Sequence, residues 1–525
     1  MTMEVALPLP RKIMRWLGIF GLGGLGISML IFAARNLGNH YFWTDESATF
    51  FTALGWPGPG QPPGDFAAIW STMLTFVDPG GYQLLVRAWT EVFGSSIVAL
   101  RLLPFIFFVG YVMALLKWYR LAAAPWIIAA AGASLMLVEN ITPYYAVELR
   151  PYSVVLAAAV ALPLLVNWFL ASPTWSRLIT YCVVFCLVAS VHFSMATVAV
   201  GCAALLMVSS ARASDLSSRL RLVIGALVSV GILPLIHLIT RGNPLADKES
   251  TLTYINDLML RYQGPDEVLR TLMTNLITPT ALPRTLFIAL VPILWLAFRK
   301  TPHRQWLTDQ TRPVLLLWLY VTVTLAASAV MSWSGFLPWV VGTRWSIVDI
   351  GYIALSLVGL TALVLRTPWV KRRPVAWVLV AAAIACCLVG DLRLARYQRM
   401  NDVDYMAALA PAVLSGTPGR AKVDGWIYGD ARYWMEYSGQ HPDTRNAWMT
   451  HGIQAIPPYT AATDVEIRQF LESRDDRLLL RSLDALRESG VSLPPNVSIV
   501  QVDHSLLNGT DPNAVPIVLV KQGLP

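Results

Sequence analysis

The chain has 525 residues, 55% of them hydrophobic and only 14% charged. Soluble domains carry about 25% charged residues, so a soluble globular protein is excluded and a polytopic membrane protein is implied. The net charge of +8 does not argue for nucleic acid as a partner, because most basic residues fall between apolar stretches, where membrane topology asks for them.

The first apolar stretch begins near Trp16, after Arg11, Lys12 and Arg15, and lacks a small-residue cleavage site. It reads as a retained span rather than a signal peptide. Spans are then expected at 16–35, 97–119, 121–138, 147–170, 177–191, 193–210, 220–240, 284–299, 313–333, 345–366 and 374–391. At about 20 apolar residues per crossing this gives about 11 transmembrane helices, within a range of about 9–13. With the N-terminus in the cytoplasm, every inner connection is basic. The first holds Lys117 and Arg120, the next Arg177, then Arg212, Arg219 and Arg221, then Arg299, Lys300 and Arg304. The last holds Arg366, Lys371, Arg372 and Arg373.

The outer segments are longer. Residues 36–96 are rich in Gly and Pro around 55–64, with amphipathic surface helices expected over 65–76 and 81–93. A short loop covers 139–146, and residues 241–283 carry an expected surface helix over 256–277. From residue 392 the charge content becomes ordinary. Strand patterns at 497–502 and 515–520 and a helix pattern over 465–488 predict a small α/β extracytoplasmic domain. The fold class is thus an all-α polytopic membrane protein, with a transmembrane domain at 1–391 and a soluble domain at 392–525. The five cysteines all lie in apolar stretches, with neither a disulfide framework nor a zinc spacing.

Ionisable residues beside the spans gather on one leaflet. Asp45 and Glu46 follow the first span in Tyr41-Phe42-Trp43-Thr44-Asp45-Glu46, and Asp78 precedes Pro79-Gly80-Gly81-Tyr82. Glu148 and Arg150 lie in Tyr144-Tyr145-Ala146-Val147-Glu148-Leu149-Arg150-Pro151-Tyr152. His192 sits at the turn between the fifth and sixth spans, His237 and Arg241 end the seventh, and Arg344 opens the tenth. Charged groups at membrane depth are expensive and mark functional sites. Satisfied polar groups scattered at random would not choose one side.

At these residues the chain resembles the GT-C class of multi-span glycosyltransferases, in particular the aminoarabinose-transferase-like and protein-mannosyltransferase-like groups. The carrying strings are Asp45-Glu46, Pro79 through Tyr82-Gln83-Leu84-Leu85 to Trp89, Tyr145 through Tyr152, and Thr343-Arg344-Trp345. The resemblance covers roughly residues 15–390; the tail resembles nothing named. Two departures stand out. Asp78-Pro79-Gly80 replaces the His or Lys before two prolines that such proteins often carry, and Trp345 replaces a tyrosine.

The resemblance implies a polyprenyl-phosphate sugar as donor and an inverting transfer to a cell-envelope lipid, glycan or protein. The membrane would be the cytoplasmic (inner) one, with the reaction on its outer face and the C-terminal domain periplasmic. Such a donor needs little acid catalysis, because its phosphate leaves as a stable anion. A carboxylate must deprotonate the acceptor hydroxyl, and arginines must hold the developing phosphate charge. Asp45 is the expected base, with Glu46 orienting it or the acceptor. Arg150 and Arg344 are the expected phosphate ligands, with Tyr145 and His192 behind them; Glu148 fixes Arg150, and Asp78 and Tyr82 support. These residues single out no particular cofactor. Whether a divalent metal is bound stays open, with Asp78 as the hard oxygen ligand it would use. Two readings compete: a lipid-linked glycan flippase, and an envelope ligase or polymerase that moves a whole glycan.

Overall fold

The structure is a computed structural model that describes residues 7–38, 42, 44–57, 61–73, 79–138, 141–241, 282–298, 312–333, 347–397, 405–415, 418, 420–424, 427–428, 431–433, 454–455, 463–503 and 512–522. The helices of its apolar part are α1 (Arg11–Asn36), α2 (Thr44–Ala53), α3 (Phe66–Met73), α4 (Gly81–Phe93) and α5 (Ile97–Leu121). They continue with α6 (Trp126–Met136), α7 (Ile141–Ala146), α8 (Tyr152–Ala171), α9 (Trp175–Ala189), α10 (Met195–Ser210) and α11 (Leu216–Arg241). The set closes with α12 (Leu282–Phe298), α13 (Arg312–Trp333), α14 (Ile347–Arg366) and α15 (Arg373–Arg396). Among the described residues, α1, α5, α8, α13, α14 and α15 are long and apolar enough to cross a membrane, and shorter apolar helices occur in α6, α9, α10 and α12. The chain is a multi-pass membrane protein.

Two boundaries differ from the sequence expectation, each at a proline. The span expected at 121–138 is the 11-residue α6, because Ala123 takes a φ of +62° and Pro125 caps the helix. The span expected at 147–170 begins only at Tyr152, after Pro151. Proline has no N–H to give a preceding turn and so starts a helix. Residues 147–150 are therefore a turn, and residues 141–146 of the expected loop are helical. The expected surface helix at 256–277 lies outside the described residues.

The chain divides into two compact units. The first comprises residues 1–33, 73–82 and 104–397, and the second residues 34–72, 83–103 and 398–525. In the first unit α6 packs on α15, α10 on α11 and α13, and α8 on α14. Glycine permits the closest approaches. A Cβ at Gly390 would collide with the Ser134 backbone, and one at Gly132 with the Tyr119 ring. Cys387 lies in the α6–α15 core with Ile127, Ala130, Ala131 and Ala383.

In the second unit the C-terminal segment folds around a five-stranded sheet of order β2-β1-β3-β5-β4. Its strands are β1 (Ala421–Val423), β2 (Gln454–Ala455), β3 (Arg477–Leu480), β4 (Val497–Val500) and β5 (Ile517–Lys521). Strands β2, β1 and β3 run parallel, and β5 pairs antiparallel with β3 and β4. The two-residue period of a strand separates two cores. Leu479 and Val518 face Leu409 and Val413 of α16 (Tyr405–Leu414). Leu478, Leu480, Ile517 and Leu519 face Ile467 and Phe470 of α17 (Thr463–Glu472). The helix expected over 465–488 is thus α17, β3 and α18 (Leu483–Glu488), with Ser482 accepting from the Ala485 N–H to start the last. Three consecutive leucines go to the centre of the sheet, where both faces are covered and no alternation is left in the sequence. Lys521 at the end of β5 is buried, and its Nζ donates to the carbonyls of Phe470, Leu471 and Ser473 at the open end of α17. Its three protons meet the acceptors that a helix C-terminus leaves over.

Candidate active site

In the second unit, helix α2 opens on Asp45 and Glu46 in its first turn, where the helix dipole favours negative charge. The two carboxylates part there. Asp45 is half-buried, and its carbonyl accepts from Thr49 Oγ1 at 2.8 Å. Glu46 is fully buried. Arg101, five residues into α5 and equally buried, donates from Nε to Glu46 Oε1 at 3.3 Å and from a terminal nitrogen to Oε2 at 3.1 Å. This two-pronged geometry is the strong form of the arginine–carboxylate pair. The Arg101 guanidinium also lies 5.8 Å from the Phe42 ring centroid. Buried charges persist only when paired, so Glu46 and Arg101 fix each other and, through one peptide bond, the backbone of Asp45.

In the first unit, the turn at 147–150 holds Glu148 buried and Arg150 half-buried. The Arg150 N–H donates to the Glu148 carbonyl at 2.6 Å. The Arg150 guanidinium lies 5.5 Å from the Tyr152 ring centroid, and one of its nitrogens is 3.4 Å from the Tyr152 hydroxyl. Tyr145 packs on Tyr152 with centroids 4.6 Å apart, and Tyr144 meets Tyr145 edge-on at 5.1 Å. His192 meets Tyr152 edge-on at 5.6 Å. The backbone N–H of Ser194 donates to His192 Nδ1 at 3.1 Å, so a neutral ring carries its proton on Nε2. The structure thus brings together Tyr145, Glu148, Arg150 and His192. Tyr82, buried, follows Gly81, whose N–H donates to the Ser190 carbonyl at 2.9 Å. A Cβ at Gly81 would collide with Ser190, so only glycine lets α4 begin against the turn before His192.

A line of buried polar groups continues from His192. Thr197 Oγ1 bonds the Ser194 carbonyl at 3.0 Å and the Tyr352 hydroxyl at 2.6 Å. Asp349, three residues before Tyr352 on α14, faces a terminal nitrogen of buried Arg284 at 3.3 Å. Asp78 and Arg344 lie outside the described residues, as do the side chains of His237 and Arg241. Asp45 and Glu46 belong to the second unit, while Tyr82, Tyr145, Glu148, Arg150 and His192 belong to the first. Among the described residues, no group of three or more His, Cys, Asp or Glu side chains is placed to hold a metal ion.

Sequence reasoning missed Arg101 and the pairing of Arg284 with Asp349. Arg101 stands in the run Ile97-Val98-Ala99-Leu100-Arg101-Leu102-Leu103. A charge inside an apolar span is itself the signal.

Against solved structures, the chain superposes on ArnT from Cupriavidus metallidurans. The structure bound to undecaprenyl phosphate gives a TM-score of 0.51 at 12% identity, covering 95% of this chain and 97% of that one. The apo state gives a TM-score of 0.54 at the same identity and coverage. This chain shares the ArnT fold. No protein-family model matches the sequence, and no curated protein does either. At 12% identity the likeness is one of architecture, over 95% of this chain.

Proposed function

We propose that this protein is an inverting glycosyltransferase that takes a sugar from a polyprenyl-phosphate donor and passes it to a cell-envelope lipid, glycan or protein. The reaction takes place at the outer face of the cytoplasmic membrane, with the N-terminus inside and the C-terminal segment outside. The observation that carries the reading is Asp45. It is a half-buried carboxylate fixed beside a buried ion pair at the start of a helix, in a chain with this fold. The ArnT structure with undecaprenyl phosphate supports the choice of donor class.

In the proposed reaction Asp45 accepts the proton of the acceptor hydroxyl as its oxygen attacks the anomeric carbon. The bond from that carbon to the phosphate oxygen breaks, and polyprenyl phosphate leaves with the electron pair. Displacement by a single nucleophile inverts the anomeric centre. Glu46 acts through Arg101 to place Asp45. Arg150 and Arg344 neutralise the leaving phosphate, and an arginine fork suits its oxygens. Tyr145, Tyr152 and His192 set the position of Arg150, Glu148 closes the turn behind it, and Tyr82 supports from the start of α4. Asp78 is the residue a divalent ion would use.

The test is transfer of radiolabelled sugar from a mixture of polyprenyl-phosphate sugars into cell-envelope extract. Label moved by the wild type and not by Asp45→Asn supports the reading, and the labelled fraction names the acceptor class. Equal transfer by Asp45→Asn removes Asp45 as the base. A folded wild type that moves no label from any donor turns the reading toward transport, to be followed by flux of lipid-linked glycan in vesicles.

A further inference from the structure

The helix that carries Asp45 is braced by two residues from the far end of the chain. Tyr433 is buried, and its ring stacks on Phe42 with centroids 4.1 Å apart and planes 17° apart. The same ring meets Phe50 nearly perpendicularly at 5.2 Å. Its hydroxyl donates to the Ser95 carbonyl at 2.9 Å, across 338 positions of sequence. Arg432, also buried, holds its guanidinium 4.6 Å from the Phe51 ring centroid.

These partners are not scattered. Phe42 lies just ahead of α2, and Phe50 lies one helical turn after Glu46. Ser95 lies two residues before α5, the helix whose Arg101 grips Glu46. Tyr433 therefore closes a ring of contacts. One side runs from α2 through the Glu46–Arg101 pair to α5. The other returns from Ser95 through the Tyr433 hydroxyl and ring to Phe42. A tyrosine fits this place because it offers two aromatic faces and one donor, and a buried hydroxyl needs the acceptor that Ser95 supplies. With the ion pair alone, α2 could still pivot about Glu46. The stack on Phe42 and the edge contact on Phe50 fix it at a second and a third point.

We propose that Tyr433, with Arg432 beside it, is a positioning residue for Asp45, so that the C-terminal segment is a working part of the catalytic unit rather than an appended domain. This rests on the transferase reading in which Asp45 is the base. Misplacing a reacting group by about 1 Å costs about 100-fold in rate, and loss of the Tyr433 ring frees α2 to move by such amounts.

The experiment uses the full chain in detergent and compares wild type, Tyr433→Phe and Tyr433→Ala by two readouts. The first is amide hydrogen exchange over residues 46–53 and 95–98, with α10 as internal reference. The second is sugar transfer, resolved into kcat and the donor KM. Tyr433→Ala is expected to speed exchange in α2 and to lower kcat by about 100-fold, with the donor KM held within about twofold because phosphate binding is untouched. Tyr433→Phe keeps the ring and is expected to restore most of kcat, with faster exchange confined to the start of α2 and residues 95–98. A merely structural tyrosine would lower the amount of folded protein and leave kcat per folded molecule unchanged. Unchanged kcat and unchanged α2 exchange in Tyr433→Ala overturn the proposal. If Tyr433→Ala loosens the whole C-terminal segment, Tyr433→Phe decides: no change in either readout overturns the proposal as well. A wild type that transfers no sugar while its α2 exchange still depends on Tyr433 sinks the transferase reading and leaves the brace on α2 standing.

Discussion

Glu46 and Arg150 are charged residues whose surroundings are built in opposite ways. In the first turn of α2, Glu46 and Arg101 are both fully buried and meet through two hydrogen bonds. In the turn before α8, Arg150 is half-buried and leans on the ring and hydroxyl of Tyr152. The first arrangement exchanges hydration for fixed geometry and has little left to offer a ligand. The second sets a half-buried guanidinium against an aromatic ring. A general base needs the first kind of surroundings, since its place must not vary. A phosphate ligand needs the second, since a ligand must be able to reach it.

The sharpest way to break this contrast is to change the two adjacent carboxylates separately. Asp45→Asn keeps shape and hydrogen-bonding capacity but cannot take a proton. Transfer should fall by about 100- to 10,000-fold, the usual contribution of general acid–base catalysis, while thermal stability in detergent stays near wild type. Glu46→Ala should do the reverse first. It leaves the Arg101 guanidinium buried without its carboxylate, which costs about 3–5 kcal/mol and should show as a large drop in unfolding temperature. Combining Glu46→Leu with Arg101→Met should recover much of that stability, because a well-packed apolar pair can replace a buried ion pair. Transfer should not recover with it, if the pair serves to place Asp45. A stable and fully active double variant would show that the pair does nothing for Asp45.

The same contrast shows what could be read from the sequence. Asp45-Glu46 and the Tyr145–Tyr152 string were legible because polar residues stand out beside apolar spans, and the cluster of Tyr145, Glu148, Arg150 and His192 does assemble. The buried pairing of Glu46 was not legible, since its partner Arg101 lies 55 positions away. Tyr433 was further out of reach, with its hydrogen-bond partner 338 positions distant and no local pattern around it. Helix existence followed from apolar runs, while helix starts were set by Pro125 and Pro151. Strand β3 was hidden because Leu478, Leu479 and Leu480 are buried on both faces, so the alternation that announces a half-exposed strand is missing.

Arg150 gives a smaller effect. Its replacement by Ala should raise the donor KM by about 10- to 100-fold, matching the roughly 1.5–3 kcal/mol of a hydrogen bond to a charged group. Arg150→Lys should restore the charge but not the fork or the stacking on Tyr152, and so recover only part of the affinity. An unchanged donor KM in both variants would take Arg150 out of the phosphate site and leave it as a support for the turn.

The smallest expected effect calibrates the largest. Helix α4 carries another arginine–glutamate pair, Arg87–Glu91, with a nitrogen–oxygen distance of 2.7 Å, shorter than the 3.1 Å of Glu46–Arg101. By distance alone the α4 pair should be the stronger. Its side chains are 23% and 60% exposed, however, where both Glu46 and Arg101 are at 0%. Water still reaches the Glu91 end in the folded state, so a pair at this helical spacing contributes only about 0.3–0.5 kcal/mol. A double-mutant cycle on Arg87 and Glu91 should return a coupling of that size, fading with salt, as surface charges are screened. The same cycle on Glu46 and Arg101 should return several times more and change little with salt. Equal couplings, or equal salt dependence, would mean that the α2 pair is solvated after all. Asp45 would then have lost the fixed neighbour on which its proposed role as base depends.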